Sequence, residues 1–408
     1  MKNSILLFLV LMQTSLFALN TVSENETAVQ GEPDSSIVAA IALIDNDSLY
    51  SYVYDLQNMG TRFMIAPNRR DVATWIMNKF LSFGITEVRL DSFPAHITYM
   101  YDTTTWQYNV EARIQGSDFP DKEMVMIGHY DDVTQNSEPI SGAPGADDNA
   151  SGTAAILECA RILNQPEYQP RQTMVFLASA AEELMYYGDS GTEHYAAEAH
   201  DAGRDIVMAI NNDMIGWDDG TWTVQLFNHI GSPEITALAI DIITNYTTLN
   251  YLSSTPVHDV GGDIQPFIDA GYHSIYFMEN SINPNYHTRG DSIDYLNFNY
   301  MAEITAIGLG CVLQTDNTVN SKKYPNHLLN LKILPNPANN NVTIYNPDNK
   351  LTHSLKIYKL DGTQQISQTI SGSTANIDIS ILPPGTYLVV VSSETESYHS
   401  RLVVAPYK

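Results

Sequence analysis

The feature that most constrains the fold is a set of short apolar runs, each leading into residues that can ligate a metal. The stretch from Thr173 to Glu183, TMVFLASAAEE, begins as an apolar and β-branched run, which reads as a buried parallel strand. It passes through small residues and ends in two adjacent carboxylates, Glu182 and Glu183. Met124–Ile127 leads into Gly128-His129-Tyr130-Asp131-Asp132, and Ile206–Ile210 into Asn211-Asn212-Asp213. Ser274–Met278 leads, after a loop, to His287. A Glu-Glu pair alone is ordinarily a solvated loop. Four such runs carry more weight, because open α/β sheets bind ligands in the crevice outside the carboxyl ends of their strands.

Around these runs the chain is organised simply. Met1-Lys2-Asn3 is a short positive start, and Ile5 to Leu19 is apolar apart from Gln13, Thr14 and Ser15. That pattern is too short and interrupted for a membrane span and fits a secretory signal peptide, residues 1–19. Residues 20–36 are polar and read as a flexible leader. No later segment is apolar enough to span a bilayer, so no stable membrane insertion is expected. The net charge of −27 argues against nucleic acid and anionic membranes, whose phosphates it would repel. Ser36 to Phe83 reads as largely helical, and Thr86–Phe93 and Trp106–Ile114 as strands, all with a packing role. Cys159 and Cys311 sit in helix-like apolar patterns and are either buried free thiols or one disulfide.

The chemistry concentrates in five places. His129-Tyr130-Asp131 offers an imidazole with a nearby carboxylate, the kind of partner that fixes the tautomer of a metal-bound His. Gly145-Ala146-Asp147-Asp148-Asn149-Ala150-Ser151-Gly152 allows a tight turn before an amphipathic helix, Thr153–Leu163. Asp148 or Ser151 suits the helix cap, leaving Asp147 for metal. With Glu183, Asp213 and His287, the candidate metal ligands are His129, Asp147, Glu183, Asp213 and His287. Two imidazoles and three carboxylates, with Asp147 bridging, suit two zinc-like ions about 3.5–4 Å apart. Glu182 is then the surplus acid, placed as a general base, its side chain opposite Glu183 if strand geometry persists. Met214, Phe267 and Tyr286 lie near these motifs and are candidates for an apolar substrate pocket.

Taken together, GHYDD at 128–132, PGADDNASG at 144–152, AEE at 181–183, NNDMIG at 211–216 and YHTRGD at 286–291 resemble the M28 family of zinc peptidases, in particular the secreted bacterial leucyl-type aminopeptidases. The resemblance covers roughly residues 37–315, with the motifs in family order. It implies an α/β fold with a mixed, mostly parallel central sheet flanked by helices. It assigns His129 and Asp213 to one Zn2+, Glu183 and His287 to the other, Asp147 to the bridge, Glu182 to the general base and Asp131 to the partner of His129. The implied reaction is hydrolysis of N-terminal residues from peptides with a free N-terminus, by a zinc-activated water. Two stretches depart from the family: Leu184–Gly191 is bulkier, and Gly262-Asp263-Ile264 lacks a His, both expected at the pocket rim. A glutaminyl cyclase-like, carboxypeptidase or dipeptidase activity on the same fold, or a catalytically inactive binding module, are the alternatives. The intact ligand set and Glu182 favour hydrolysis.

Residues 37–318 are thus expected to form the peptidase domain and 319–329 a polar linker. From residue 330 to 408 the texture changes to short alternating strands separated by Asn-Pro, Asp-Gly and Pro-Gly turns. That predicts a small all-β sandwich. LPNPANNNVTI, IYKLDGTQ, LPPGTYLVVV and a final RLVV resemble type IX secretion sorting domains. The resemblance implies engagement of secretion machinery, a secreted or cell-surface location, and no part in catalysis. A monomer is expected.

Overall fold

The computed structural model describes residues 33–98, 101–134, 142–183, 185, 189–318, 333–345, 353–359, 363–372, 374–392 and 397–405. The expected signal peptide, most of the leader and the linker lie outside the described residues. The chain divides into two compact units, one ending at Asp316 and the other beginning at Asn317.

The first unit is built on eight strands: β1 (Glu87–Ile97), β2 (Thr103–Ile114), β3 (Phe119–His129), β4 (Gln172–Ser179), β5 (Asp205–Asn212), β6 (Thr223–Asn228), β7 (Asn250–Ser253) and β8 (Ser274–Glu279). Their order in the sheet is β1-β2-β4-β3-β5-β8-β6-β7. The central strands β4, β3, β5 and β8 run parallel, and β6 and β7 pair in parallel. The β1–β2, β2–β4 and β8–β6 pairs are antiparallel. The sheet is therefore mixed and mostly parallel, as expected.

The unbroken apolar runs have a simple cause. Along β3 and β4, Met124, Met126, Met174 and Phe176 enter one core with helix Gly152–Leu163. The alternate residues Val125, Ile127, Val175 and Leu177 enter a second core with Tyr195, Ala196 and Phe267. Both faces are covered, so both phases of the alternation must be apolar.

Strand order reverses at β3. The chain leaves β3 for β4 on one side, then crosses to β5 on the other. The crevice at that switch point opens outside the carboxyl ends of β3 and β5. Two glycines bring the following helix against the sheet here. A Cβ on Gly128 would lie 2.7 Å from the Gly152 carbonyl carbon, and one on Gly152 would lie 2.0 Å from the Asn212 carbonyl oxygen.

Residues 36–83 form three helices, Ser35–Ile41, Asn46–Asn58 and Arg69–Ser82, so the expected leader gives way to helix at Ser35. Asp34 and Asp45 cap the first two. Cys159 and Cys311 are buried free thiols. Among the described residues, no helix is long and apolar enough to cross a membrane.

The second unit contains a three-stranded and a four-stranded antiparallel sheet around a core that includes Val342, Ile344, Leu355, Ile357, Val389 and Leu402. One of its strands, Gln364–Ile370, departs from the alternating pattern expected of this region. It is an edge strand with mostly polar, solvent-facing side chains, so it lacks the apolar alternation that betrays the others.

Candidate metal centre

The carboxyl ends of the central strands deliver their polar residues to one place. His129 ends β3, Asp213 follows β5 directly, and Glu183 lies just beyond β4. His287 comes from the loop after β8. Sequence reading expects Asp147 at the centre of this group. The structure corrects that: the centre is Asp148.

Asp148 Oδ1 lies 3.3 Å from His129 Nε2, and its Oδ2 lies 3.1 Å from His287 Nε2. Asp213 Oδ1 is 3.4 Å from His129 Nε2, and Glu183 Oε2 is 2.8 Å from His287 Nε2. The result is two three-residue donor sets, His129–Asp148–Asp213 and Asp148–Glu183–His287, which share one carboxylate. Asp147 faces the other way. Its Oδ1 accepts the Gly216 N–H at 2.9 Å and its Oδ2 accepts the Asn283 side-chain amide at 2.8 Å. With both oxygens occupied, it supports the site from behind. The helix starts at Gly152 and neither Asp148 nor Ser151 caps it through a side-chain hydrogen bond.

The local backbone explains how Asp148 is presented. Gly145 adopts a positive φ of 51°. The Asp291 carboxylate, from the same motif as His287, accepts the N–H groups of Asp147 at 2.9 Å and Asp148 at 3.1 Å. Ala181, Met214 and His287 all have positive φ, at 61°, 51° and 54°. A non-glycine residue in that region costs about 1–3 kcal/mol, and such residues gather at functional sites. Here each one either flanks or belongs to the cluster.

Glu182 and Glu183 do not continue strand alternation. The strand ends at Ser179, and the turn at Ala181 redirects the chain. Asp131 then accepts the N–H of Glu182 at 3.1 Å and of Glu183 at 3.2 Å, one on each carboxylate oxygen. The same residue serves His129: Nδ1 faces the Asp131 carbonyl at 3.2 Å and its carboxylate at 3.6 Å. Asp131 therefore holds one imidazole and two glutamates in register. Glu182 Oε2 stands 3.9 Å from His129 Nε2, farther out than the four acid–imidazole contacts above.

Charge is concentrated in this buried crevice. Burial pushes the Glu182 carboxyl well above its ordinary value, the neighbouring His129 charge opposing this and Asp263 and Asp213 adding to it. Burial likewise raises Glu183, with Asp148 reinforcing it. Burial would lower His129, but Asp213 and Glu182 outweigh it and hold the imidazole well above its usual pKa. Asp148 differs from these two glutamates: burial raises it, but hydrogen bonds to His129 and His287 prevail and hold it below the carboxylate range. Glu183 Oε1 and Asp213 Oδ1 are buried with no hydrogen-bond partner. Orphaned buried carboxylate oxygens carry a desolvation cost that a bound cation removes. The donor set, all imidazole nitrogen and carboxylate oxygen, fits zinc.

Several supports have no motif to announce them. Arg62 is fully buried and pairs with Asp132 at 2.9 Å. Its guanidinium also donates to the carbonyls of Tyr130, Pro144 and Gly145, clamping the His129 and Asp148 loops together. The region before β3 is thus more than packing. Tyr276 donates its hydroxyl to Asp213 Oδ2 at 2.9 Å. Glu279 is buried beside Asp147, and burial followed by that neighbour pushes its carboxyl up to about 12.

The three pocket candidates separate. Tyr286 stacks on His287, with ring centroids 3.7 Å apart. Met214 is buried in the turn after Asp213. Phe267 belongs to the core, packed on Tyr195 and Tyr272 with no exposure, so it lines no pocket. Asp263 is not at a rim either. It is fully buried and accepts hydrogen bonds from Ser179 at 2.6 Å and Thr192 at 2.8 Å. Leu184 and 186–188 lie outside the described residues.

Comparison with known proteins identifies two families along the chain. Residues 109–312 match the model of peptidase family M28, and residues 332–405 match the secretion system C-terminal sorting domain. A Leptosphaeria maculans protein named "Probable zinc metalloprotease" is 25% identical over 69% of this chain and 76% of its own. Leucine aminopeptidase 1 of Sclerotinia sclerotiorum is 26% identical over 62% of this chain and 67% of its own. The LapA aminopeptidase of Legionella pneumophila superposes with a TM-score of 0.58 at 18% identity, over 72% of this chain and 78% of that one, a likeness of fold. The M28 model spans half of the 408 residues, and its span carries all five residues of the two donor sets together with the central strands that place them; the chain belongs to peptidase family M28 and bears a secretion-system sorting domain.

Proposed function

We propose that this chain is a secreted dizinc aminopeptidase. His129 and Asp213 would hold one zinc, Glu183 and His287 the other, and Asp148 would bridge them. The observation that carries the reading is the pair of donor sets sharing Asp148, with the unshared acid Glu182 beside them. Zinc-metalloprotease and leucine-aminopeptidase relatives support the metal and the substrate class. Bound zinc supplies Lewis acidity toward water and toward the scissile carbonyl.

The chain's own residues do the rest. Glu182 takes a proton from the attacking water and delivers it to the departing amine. Burial raises its affinity for that proton, which matches a group that must accept it and then release it. Asp131 fixes the height of Glu182 through the backbone and the orientation of His129 through the ring. Tyr286, stacked on His287, is the candidate surface for the substrate's first side chain.

Glu182→Gln tests the assignment. Its size and hydrogen-bonding reach stay close to those of Glu182, so zinc binding should be unchanged while kcat falls by about 10²–10⁴-fold. Metal content and turnover measured on one preparation decide it. Hydrolysis at the unaltered rate would remove Glu182 from the mechanism. A glutaminyl cyclase, a carboxypeptidase or a dipeptidase is the reading to which failure on all free-amino substrates would lead. For export, the matched sorting domain supports delivery by secretion machinery, with residues 1–19 as the proposed signal peptide.

A further inference from the structure

A second group of ligand-type side chains lies away from the crevice, between the edge strand β1 and the helix Gly191–Asp201. Along β1, burial alternates from Asp91 onward, and the inward positions are Asp91, Phe93, Ala95 and Ile97. Asp91 thus puts a carboxylate where the pattern puts apolar side chains. Its side chain is 8% exposed. A buried carboxylate at such a position requires a partner.

The partner it faces is His194. Asp91 Oδ2 and His194 Nε2 lie 3.3 Å apart, and His194 Nε2 lies 3.5 Å from Glu198 Oε1. His194 and Glu198 are one turn apart on the helix, so they project on one face. Asp91 Oδ2 and His194 Nε2 are both buried, yet neither makes a hydrogen bond. Phe93 stacks on the imidazole at 4.6 Å and limits its rotation. Arg89 approaches the other Asp91 oxygen, Oδ1, at 3.6 Å and is engaged by Glu111 at 2.7 Å, which leaves Oδ2 for the cluster.

These separations have a specific meaning. Ligand atoms about 2.0–2.1 Å from a tetrahedral zinc lie about 3.3–3.4 Å from one another. The same spacing occurs between His129, Asp148 and Asp213 in the crevice. One imidazole and two carboxylates select zinc over calcium or magnesium, which take oxygen ligands in larger number.

We propose that Asp91, His194 and Glu198 form a third, peripheral zinc site that pins the helix Gly191–Asp201 to the edge strand β1. Water completes the coordination, because Glu198 is half exposed. The site stabilises the docking of the helix that follows the Glu182–Glu183 turn and takes no part in hydrolysis.

The test is zinc content per chain after equilibrium dialysis of the full protein. His194→Ala and Glu198→Ala should each lose one bound zinc and keep the unaltered kcat/KM. Glu198→Ala removes a half-exposed side chain and keeps the test open should His194→Ala fail to fold. In an Asp148→Ala background, which disables the crevice, added zinc should still raise Tm, and Glu198→Ala should abolish that rise. Unchanged zinc content in both single variants would overturn the peripheral site. Unchanged zinc content in Asp148→Ala, with the loss in Glu198→Ala intact, would overturn the crevice assignment and leave the peripheral site standing.

Discussion

Asp147 and Asp148 are adjacent acids in one glycine-bounded turn, and nothing in their spacing says which one faces the metals. The decision is made by distant partners. Gly216 and Asn283 occupy both oxygens of Asp147, and Asp291 holds the backbone that swings Asp148 between the two histidines. Two substitutions separate the roles. Asp148→Asn removes the shared charge and should lower zinc content. Asp147→Asn must turn an amide N–H toward Gly216 or Asn283, which both donate, and should cost about 1–3 kcal/mol of stability with zinc content unchanged. Zinc analysis and denaturant unfolding on the two variants check this, and the reverse pattern would restore Asp147 to the bridge. His129 and Glu183 were legible because strand ends announce them, and His287 because its motif follows the loop after β8. Arg62 was not: it stands in a loop with no motif, and its importance comes from five contacts that only the folded chain creates.

At the scale of elements, the parallel strands were legible because both faces are buried and the runs are unbroken. Strand order was not, since pairing joins residues far apart in sequence; β4 inserting between β2 and β3 has no local signal. Neither had the charge network across the amino-terminal half of the sheet. Glu123 on β3 accepts from Arg113 of β2 at 2.8 Å and from Arg204, just before β5, at 2.9 Å. Burial raises the Glu123 pKa, but the hydrogen bonds from Arg204 and Arg113 prevail and hold it below its ordinary 4.5. A depressed carboxylate contributes stability that is present above the unfolded value and is lost as pH falls through the folded one. Glu123→Gln should therefore destabilise the protein by about 1.5–3 kcal/mol at neutral pH. It should also flatten the acid limb of the stability curve below pH 4.5. An unaltered acid limb in urea titrations would show that the network is not coupled to folding.

For the whole molecule, the two units divide the work. The cluster around Asp148 lies entirely in the first, and the second offers a small β core with no group of metal-ligating side chains among its described residues. Deleting residues 319–408 should leave kcat/KM within about twofold, because domains of this kind fold independently. Export from the producing cell should fail in the same deletion, measured as the fraction of protein outside. The central claim is that the crevice at the strand-order reversal is a zinc aminopeptidase site. The most direct measurement is release of anilide from a panel of aminoacyl-anilides and their N-acetylated counterparts, before chelation, after it, and after zinc is restored. The account predicts release from free-amino substrates only, abolished by chelator and recovered with zinc. Zinc-loaded protein that releases nothing from any free-amino substrate would contradict it.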